Sequence, residues 1–248
     1  MELRLDDRVA MVTGGGRGIG AVVARTLSAA GARVVVVDVD AAGAAAVAET
    51  LPGGLALAAD VADETAVEDA FAAVARGLGP VDVLVNNAGV VVRRDADAIT
   101  PAEWDRVMAV NVRGMFLCSR VAARTMRTRA GGAIVNVASI MGLSGGLFPN
   151  AAYNTSKGAV VNLTRSLALE WAADGIRVNA VAPHYVRTEL TRAVFESPER
   201  LATVMAHAPL GVLPEPEDVA AAVLFLASPA ARCVTGHILP VDSGYLAR

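Results

Sequence analysis

The chain of 248 residues carries 25 acidic against 22 basic side chains, a net charge of −3 with no run of bases, which argues against nucleic acid or an anionic membrane as main partner. Apolar residues make up 54% against 19% charged and 4% aromatic, which excludes a disordered chain and suits one large domain. Two cysteines, Cys118 and Cys233, are too few for a disulfide framework and lack metal-ligand spacing, so both are expected reduced and no metal is expected. The opening Met1-Glu2-Leu3-Arg4-Leu5-Asp6-Asp7 has no apolar signal-peptide core. The uncharged stretch Ala130–Ser156 holds Asn136, Ser139, Ser144, Pro149, Asn150 and Asn154, which make it a costly membrane span. A cytoplasmic protein is expected.

Short apolar runs bounded by Gly, Asp, Asn or Pro lie at Arg8–Thr13, Arg33–Asp38, Leu55–Ala59, Val81–Asn86, Ala133–Val137 and Arg177–Ala182. They suit strands buried on both faces of a parallel sheet. Between them the pattern predicts helices over Gly18–Ala30, Ala41–Thr50, Asp63–Leu78, Pro101–Arg127 and Ala152–Ala173. Thr100-Pro101-Ala102-Glu103 supplies an N-cap threonine, proline at N1 and glutamate at N3. After Pro183 comes a charged helical region, Thr188–His207, then a helix near Glu215–Ala227 and a last strand around His237–Val241. The β-α alternation predicts an α/β fold: a single-domain, doubly wound, Rossmann-like parallel sheet over residues 1–248. Ligands of such sheets bind beyond the strands' carboxyl ends, so the segment at about 186–212 is placed as a small helical lid.

The first strand runs through Thr13-Gly14-Gly15-Gly16-Arg17-Gly18-Ile19-Gly20 into a helix. Glycines let the backbone turn tightly and let a pyrophosphate approach the helix N-terminus. The run fits two registers, Gly14-x-x-x-Gly18-x-Gly20 or Gly16-x-Gly18-x-x-Ala21, and is compatible with a plain strand-to-helix turn. Asp38 ends the second strand, where a carboxylate can accept ribose hydroxyls and repel a 2′-phosphate, or cap the next helix. Asp60-Val61 and Asn86-Asn87-Ala88-Gly89 follow the third and fourth strands; the latter is also a good turn sequence. Tyr153 precedes Lys157 by four, so phenol and ammonium share a helix face, as surface pairs also do. Ser139 follows the fifth predicted strand, and Asn111 sits inside a helix, where asparagine has either a polar role or a packed amide.

Together Thr13–Gly20, Asn86–Gly89, Asn111, Ser139 and Tyr153-x-x-x-Lys157 resemble the short-chain dehydrogenase/reductase family. The likeness extends to Pro183…Thr188 and Val241-Asp242-Ser243-Gly244, nearly the whole chain. The resemblance implies that Tyr153 is the acid/base, that Lys157 lowers its pKa and holds the nicotinamide ribose, that Ser139 binds the substrate oxygen and that Asn111 anchors a relay water. It further implies that Gly14, Arg17, Gly18, Ile19 and Gly20 bind phosphate and that Asp38 selects NAD. Asp60 and Val61 would meet adenine, Asn87, Ala88 and Gly89 would line the cofactor wall, and Pro183, Val186 and Thr188 would lie by the carboxamide. Arg17 pulls the other way, since a guanidinium there suits a 2′-phosphate. The family's glycine after the proline is here His184, either a substrate contact or a ring turned aside, and its Asp-Gly-Gly is Asp242-Ser243-Gly244.

The implied activity is NAD-dependent hydride transfer between the cofactor and a small-molecule secondary alcohol or ketone. Two alternatives stand beside it: a non-catalytic dinucleotide-binding regulator or scaffold, and an NADP-dependent ketone reductase of the 3-oxoacyl type. Leu143, Leu147, Phe148, Tyr185 and Leu190–Phe195 suggest an apolar pocket, with Arg187 and Arg192 placed to meet an acid. Helices Pro101–Arg127 and Ala152–Ala173 carry Phe116, Leu117, Val160, Leu163, Leu167 and Trp171, and the resemblance implies a homotetramer paired through them.

Overall fold

The computed structural model describes residues 3–129 and 131–247; Met1, Glu2, Ala130 and Arg248 lie outside the described residues. Seven strands form one parallel sheet in the order β3-β2-β1-β4-β5-β6-β7. They are β1 Val9–Thr13, β2 Arg33–Asp38, β3 Leu55–Ala58, β4 Val83–Asn86, β5 Gly132–Val137, β6 Ile176–Pro183 and β7 Ile238–Val241. The connecting helices are α1 Gly18–Ala29, α2 Ala41–Ala48, α3 Glu64–Gly77, α4 Pro101–Met108, α5 Met115–Met126, α6 Ala151–Glu170, α7 Arg192–Phe195, α8 Pro198–Met205 and α9 Pro216–Ala227. No described helix is long and apolar enough to cross a membrane.

The valine runs make strands because both faces of the sheet are covered, and successive side chains feed opposite cores. Ala10, Val12, Val34 and Val36 pack with Val23 and Leu27 of α1 and Val219, Val223 and Leu226 of α9. Val9, Met11, Val35 and Val37 face the other way, onto Phe71 and Val74 of α3, Leu117 and Val121 of α5 and Leu167 of α6. Beneath the ligand edge, amides join β4 and β5 to each other and to α5 and α6. Asn86 Nδ2 donates to Ser119 Oγ and Asn136 Oδ1, both at 2.9 Å, and Asn136 Nδ2 donates to Thr164 Oγ1 at 2.9 Å.

Two long predicted helices are divided. Pro101–Arg127 opens with the full Thr100/Glu103 capping box, but a π-helical turn at Ala109–Gly114 separates α4 from α5. Gly114 lies against Val61, where a Cβ would stand 2.9 Å from the Val61 carbonyl oxygen, and the turn carries Asn111 inward. Thr188–His207 breaks into a 3-10 turn at Glu189–Thr191 followed by α7 and α8. Pro198 occupies the first turn of α8, and Ser197 accepts from the Arg200 N–H as its cap, so a fresh helix starts there. Of the six apolar residues expected at subunit contacts, Leu117, Val160, Leu167 and Trp171 belong to the core. Phe116 and Leu163 line an open surface groove with Met108 and Val112.

Candidate active site

Beyond the ends of β1, β2 and β4 lies a cleft of about 660 Å³ that runs from Asp38 and Asp60 to Thr188. Gly14 and Gly18 adopt the left-handed conformation, φ +61° and +54°, that opens it. A Cβ on Gly20 would stand 2.2 Å from the Gly14 carbonyl oxygen, so this turn excludes larger residues. No side chain caps the N-terminus of α1, which leaves its N–H groups and dipole facing the cleft. Asn87 fastens the turn from across the sheet, donating to the carbonyls of Thr13 at 3.1 Å and Gly14 at 2.8 Å. Arg17 is exposed, and Ile19, Ala88, Gly89 and Val61 line the walls.

Asp38 is buried, and its carboxylate accepts from Gly16 N–H at 3.0 Å and Asp40 N–H at 3.1 Å. The residue capping α2 is Asp40, which accepts from Gly43 N–H at 3.2 Å, so the capping alternative for Asp38 falls. A carboxylate has about four acceptor positions, so two remain toward the cleft. These features fit a dinucleotide: a bare helix N-terminus for its phosphates, glycines too crowded for side chains, and a carboxylate with free lone pairs.

At its inner end the cleft narrows to a junction cavity of about 100 Å³ lined by Ser139, Tyr153, Lys157, Pro183, His184, Val186 and Thr188. From there it widens into a second cavity of about 270 Å³. Ser139 leaves β5 in extended conformation and caps the turn Ile140–Gly142 by accepting from Met141 N–H at 3.2 Å. Its hydroxyl stands on the same cavity as the Tyr153 phenol and favours the phenolate. Lys157, one turn along α6, is buried and donates from Nζ to the Val137 carbonyl at 2.7 Å.

Asn111 is fully buried. Its Nδ2 donates to the Val90 carbonyl at 2.9 Å and Ser156 Oγ at 3.0 Å, and its Oδ1 accepts from Val90 N–H at 2.8 Å. Both amide hydrogens are therefore committed to protein, and one lone pair of Oδ1 is left for a water. The clamp fixes the loop after β4 beside Gly89.

Electrostatics revise one expectation. The Tyr153 phenol is pushed above its ordinary pKa by burial, opposed by the Ser139 hydroxyl and the charge of Arg93. Lys157 is itself lowered to about 8 by burial, and its Nζ lies 5.6 Å from the Tyr153 ring centroid. In the free protein, desolvation of the phenol outweighs the neighbouring ammonium, so Lys157 does not by itself pull Tyr153 down.

The cations on the wider cavity are Arg93, Arg94 and Arg200, which the sequence pattern did not single out. Arg93 donates to the Leu190 carbonyl at 2.6 Å and ties the loop after β4 to the segment after β6. Arg187 instead stacks over Phe195 at 4.4 Å, and Arg192 pairs with Glu189 at 3.0 Å, so neither is turned to a ligand. Phe148, Tyr185, Leu190 and Val194 form the apolar wall, while Leu143 is exposed and neither it nor Leu147 lines this cavity. Among the described residues no group of three or more His, Cys, Asp or Glu could hold a metal.

A family profile described as Enoyl-(Acyl carrier protein) reductase matches residues 14–246. The chain is 48% identical over 246 residues to the galactitol 2-dehydrogenase (L-tagatose-forming) of Cereibacter sphaeroides, covering 98% of this chain and 96% of that protein. It is 40% identical over 248 residues to the D-threitol dehydrogenase of Mycolicibacterium smegmatis, covering 98% and 95%. A gluconate 5-dehydrogenase from Burkholderia cenocepacia, solved in complex with NADP and tartrate, superposes with a TM-score of 0.95 at 36% identity, covering 100% of this chain and 98% of that one.

Burial lowers the pKa of His184 from 6.5 to about 4, partly opposed by Asp242 and reinforced by His207. Between those values the unfolded chain binds a proton that the folded ring refuses, so stability falls as pH drops through this window. Urea unfolding from about pH 7 down to pH 4.5 is expected to show a larger loss for the parent than for His184→Phe. Equal losses would mean that the ring titrates normally.

Proposed function

This chain belongs to the short-chain dehydrogenase/reductase family, and from that premise we propose that it is an NAD-dependent dehydrogenase of polyols, oxidising a secondary hydroxyl to a ketone. That it is an oxidoreductase of secondary alcohols follows from relatives aligned over nearly its whole length. The observation that carries the mechanism is the meeting of Ser139 and Tyr153 at the junction of the two cavities, with the Lys157 ammonium buried one turn away.

Bound NAD supplies a hydride acceptor and a positive charge. Gly14, Arg17, Gly18, Ile19 and Gly20 would hold its phosphates, Asp38 its adenosine ribose, and Asp60 and Val61 its adenine. Asn87, Ala88, Gly89, Pro183, Val186 and Thr188 line its inner half. Ser139 holds the substrate hydroxyl, and the Tyr153 oxygen takes its proton as hydride departs; in the reverse direction the phenol returns it. A free phenol titrates near 10, so working near neutrality needs roughly 3–4 kcal/mol of preference for phenolate. Burial opposes this. Positive charge must supply it, from Arg93, from Lys157, which is still largely protonated at pH 7 with a pKa of about 8, and from the bound cofactor. Lys157 keeps further N–H donors for the ribose, and Asn111 acts as a positioning residue that holds the loop at Val90. The polyol assignment is supported by relatives named for galactitol and threitol and by polar side chains around the wider cavity.

A second reading, an NADP-dependent ketone reductase, is favoured by exposed Arg17 in the glycine turn and by NADP in a solved relative. Asp38 favours NAD instead, because a carboxylate meeting a 2′-phosphate at about 4 Å costs roughly 4 kcal/mol at an effective dielectric of 20, and an exposed arginine recovers less. We also propose a homotetramer, with the groove at Met108, Val112, Phe116 and Leu163 as one of its contacts.

Tyr153→Phe is expected to leave NAD affinity nearly intact, by fluorescence titration, and to cut turnover by about 10²–10⁴-fold; a loss under tenfold defeats the acid/base role. The ratio of kcat/KM for NAD over NADP, measured with any working polyol, should be about two orders of magnitude, and Asp38→Ser should narrow or reverse it. Equal efficiency in the parent would leave the NADP reading standing. Light scattering at micromolar concentration should report four chains; a stable monomer would refute the assembly.

A further inference from the structure

His184 is the most anomalous group in the site. It stands one residue beyond β6, and its N–H donates to the Val241 carbonyl at 3.1 Å, which fixes its backbone at the ligand edge. The side chain is only 6% exposed, yet neither Nδ1 nor Nε2 has a hydrogen-bond partner. It is held edge-on by the rings of Tyr185 at 5.5 Å and Tyr245 at 5.1 Å, with Asp242 and His207 the charged and titratable groups facing it. Buried polar groups in folded proteins are nearly always paired, and an unpaired one is a cost that a ligand can remove.

The ring lies on the walls of both the junction cavity, with Ser139 and Tyr153, and the wider cavity. A neutral imidazole offers one donor and one acceptor, and a hydroxyl offers the same pair in return. The substrate's reacting hydroxyl is taken by Ser139 and Tyr153, so any partner for His184 must be a second one. The junction cavity, about 100 Å³, equals roughly three water volumes, so a group that reaches His184 from the reacting centre sits on a neighbouring carbon. No hydrogen bond restrains the ring from turning toward it.

We propose that His184 is a specificity-determining residue that binds a second substrate hydroxyl on the carbon next to the reacting one, so that the site selects vicinal diols over monohydric secondary alcohols. This rests on the polyol dehydrogenase reading above. A site built around a hydrogen bond to substrate rejects the analogue that lacks it, because its own polar group is then stranded.

The test uses two pairs that differ by one hydroxyl, 2,3-butanediol with 2-butanol and 1,2-cyclohexanediol with cyclohexanol, and compares kcat/KM within each pair. The parent is expected to favour the diols by about 100-fold. His184→Phe keeps the ring contacts but no nitrogen and should cut that preference at least about tenfold, while His184→Asn, with one donor and one acceptor, should fall between. Should the Phe variant fail to fold by circular dichroism, His184→Leu replaces it. A preference unchanged within about twofold, including equal losses on both members of a pair, overturns the role of His184. A parent without diol preference overturns it too, but leaves the dehydrogenase reading intact. A parent that oxidises neither member of either pair overturns both.

Discussion

All seven strands run parallel, so every carboxyl end lies on one edge of the sheet. From β1 the chain moves outward through β2 and β3, then returns past β1 to β4 and continues to β7 on the other side. At that reversal the loops after β1 and β4 part in opposite directions and leave a crevice that neither fills. The turn Gly14–Gly20 and the loop Asn87–Val90 are its two lips. Asn87 ties one lip to the other, and Asn111 ties the second to α6 through Ser156. The depth of the cleft, the exposure of the α1 N-terminus and the meeting of Ser139 with Tyr153 all depend on that topology.

The inner end of the site works against its own solvation. An ammonium, a phenol and an imidazole are withdrawn from water in one small space, and burial moves each toward its neutral form. Lys157 is compensated by the Val137 carbonyl and Tyr153 by Ser139, whereas neither ring nitrogen of His184 has a hydrogen-bond partner. Ligands that bring positive charge to the phenol and hydroxyl groups to the imidazole relieve both strains at once. The free protein is thus less stable at this point than a hydrophobic filling would make it, a common cost of preorganised sites.

Residues 186–194 border all three cavities. Thr188 reaches toward Gly18, where a Cβ would meet its Cγ2 at 3.4 Å, and Leu190 receives Arg93 from the loop after β4. Leu190, Thr191 and Val194 close over the wider cavity.

The sequence by itself determined the layered α/β fold and the position of every strand to within about two residues, because valine runs buried on both faces leave little other choice. It also placed the Gly14–Gly20 turn, Asp38, Ser139, Tyr153 and Lys157 at strand ends or at the start of a helix, since glycine runs and i,i+4 spacing are local signals. Tertiary structure alone decided what depends on contacts between distant segments. Asn111 became a clamp because a π-helical turn presents it to Val90, twenty-one residues away in the chain. Asp38 is freed from helix capping because Asp40 takes that place. Arg93 and Arg200, rather than Arg187 and Arg192, line the cavity: Arg93 comes from the loop after β4, and Arg200 from α8, which Ser197-Pro198 starts as a separate helix. The direction of the Tyr153 shift is likewise a property of burial, and burial is a sum over the whole fold that no local spacing records.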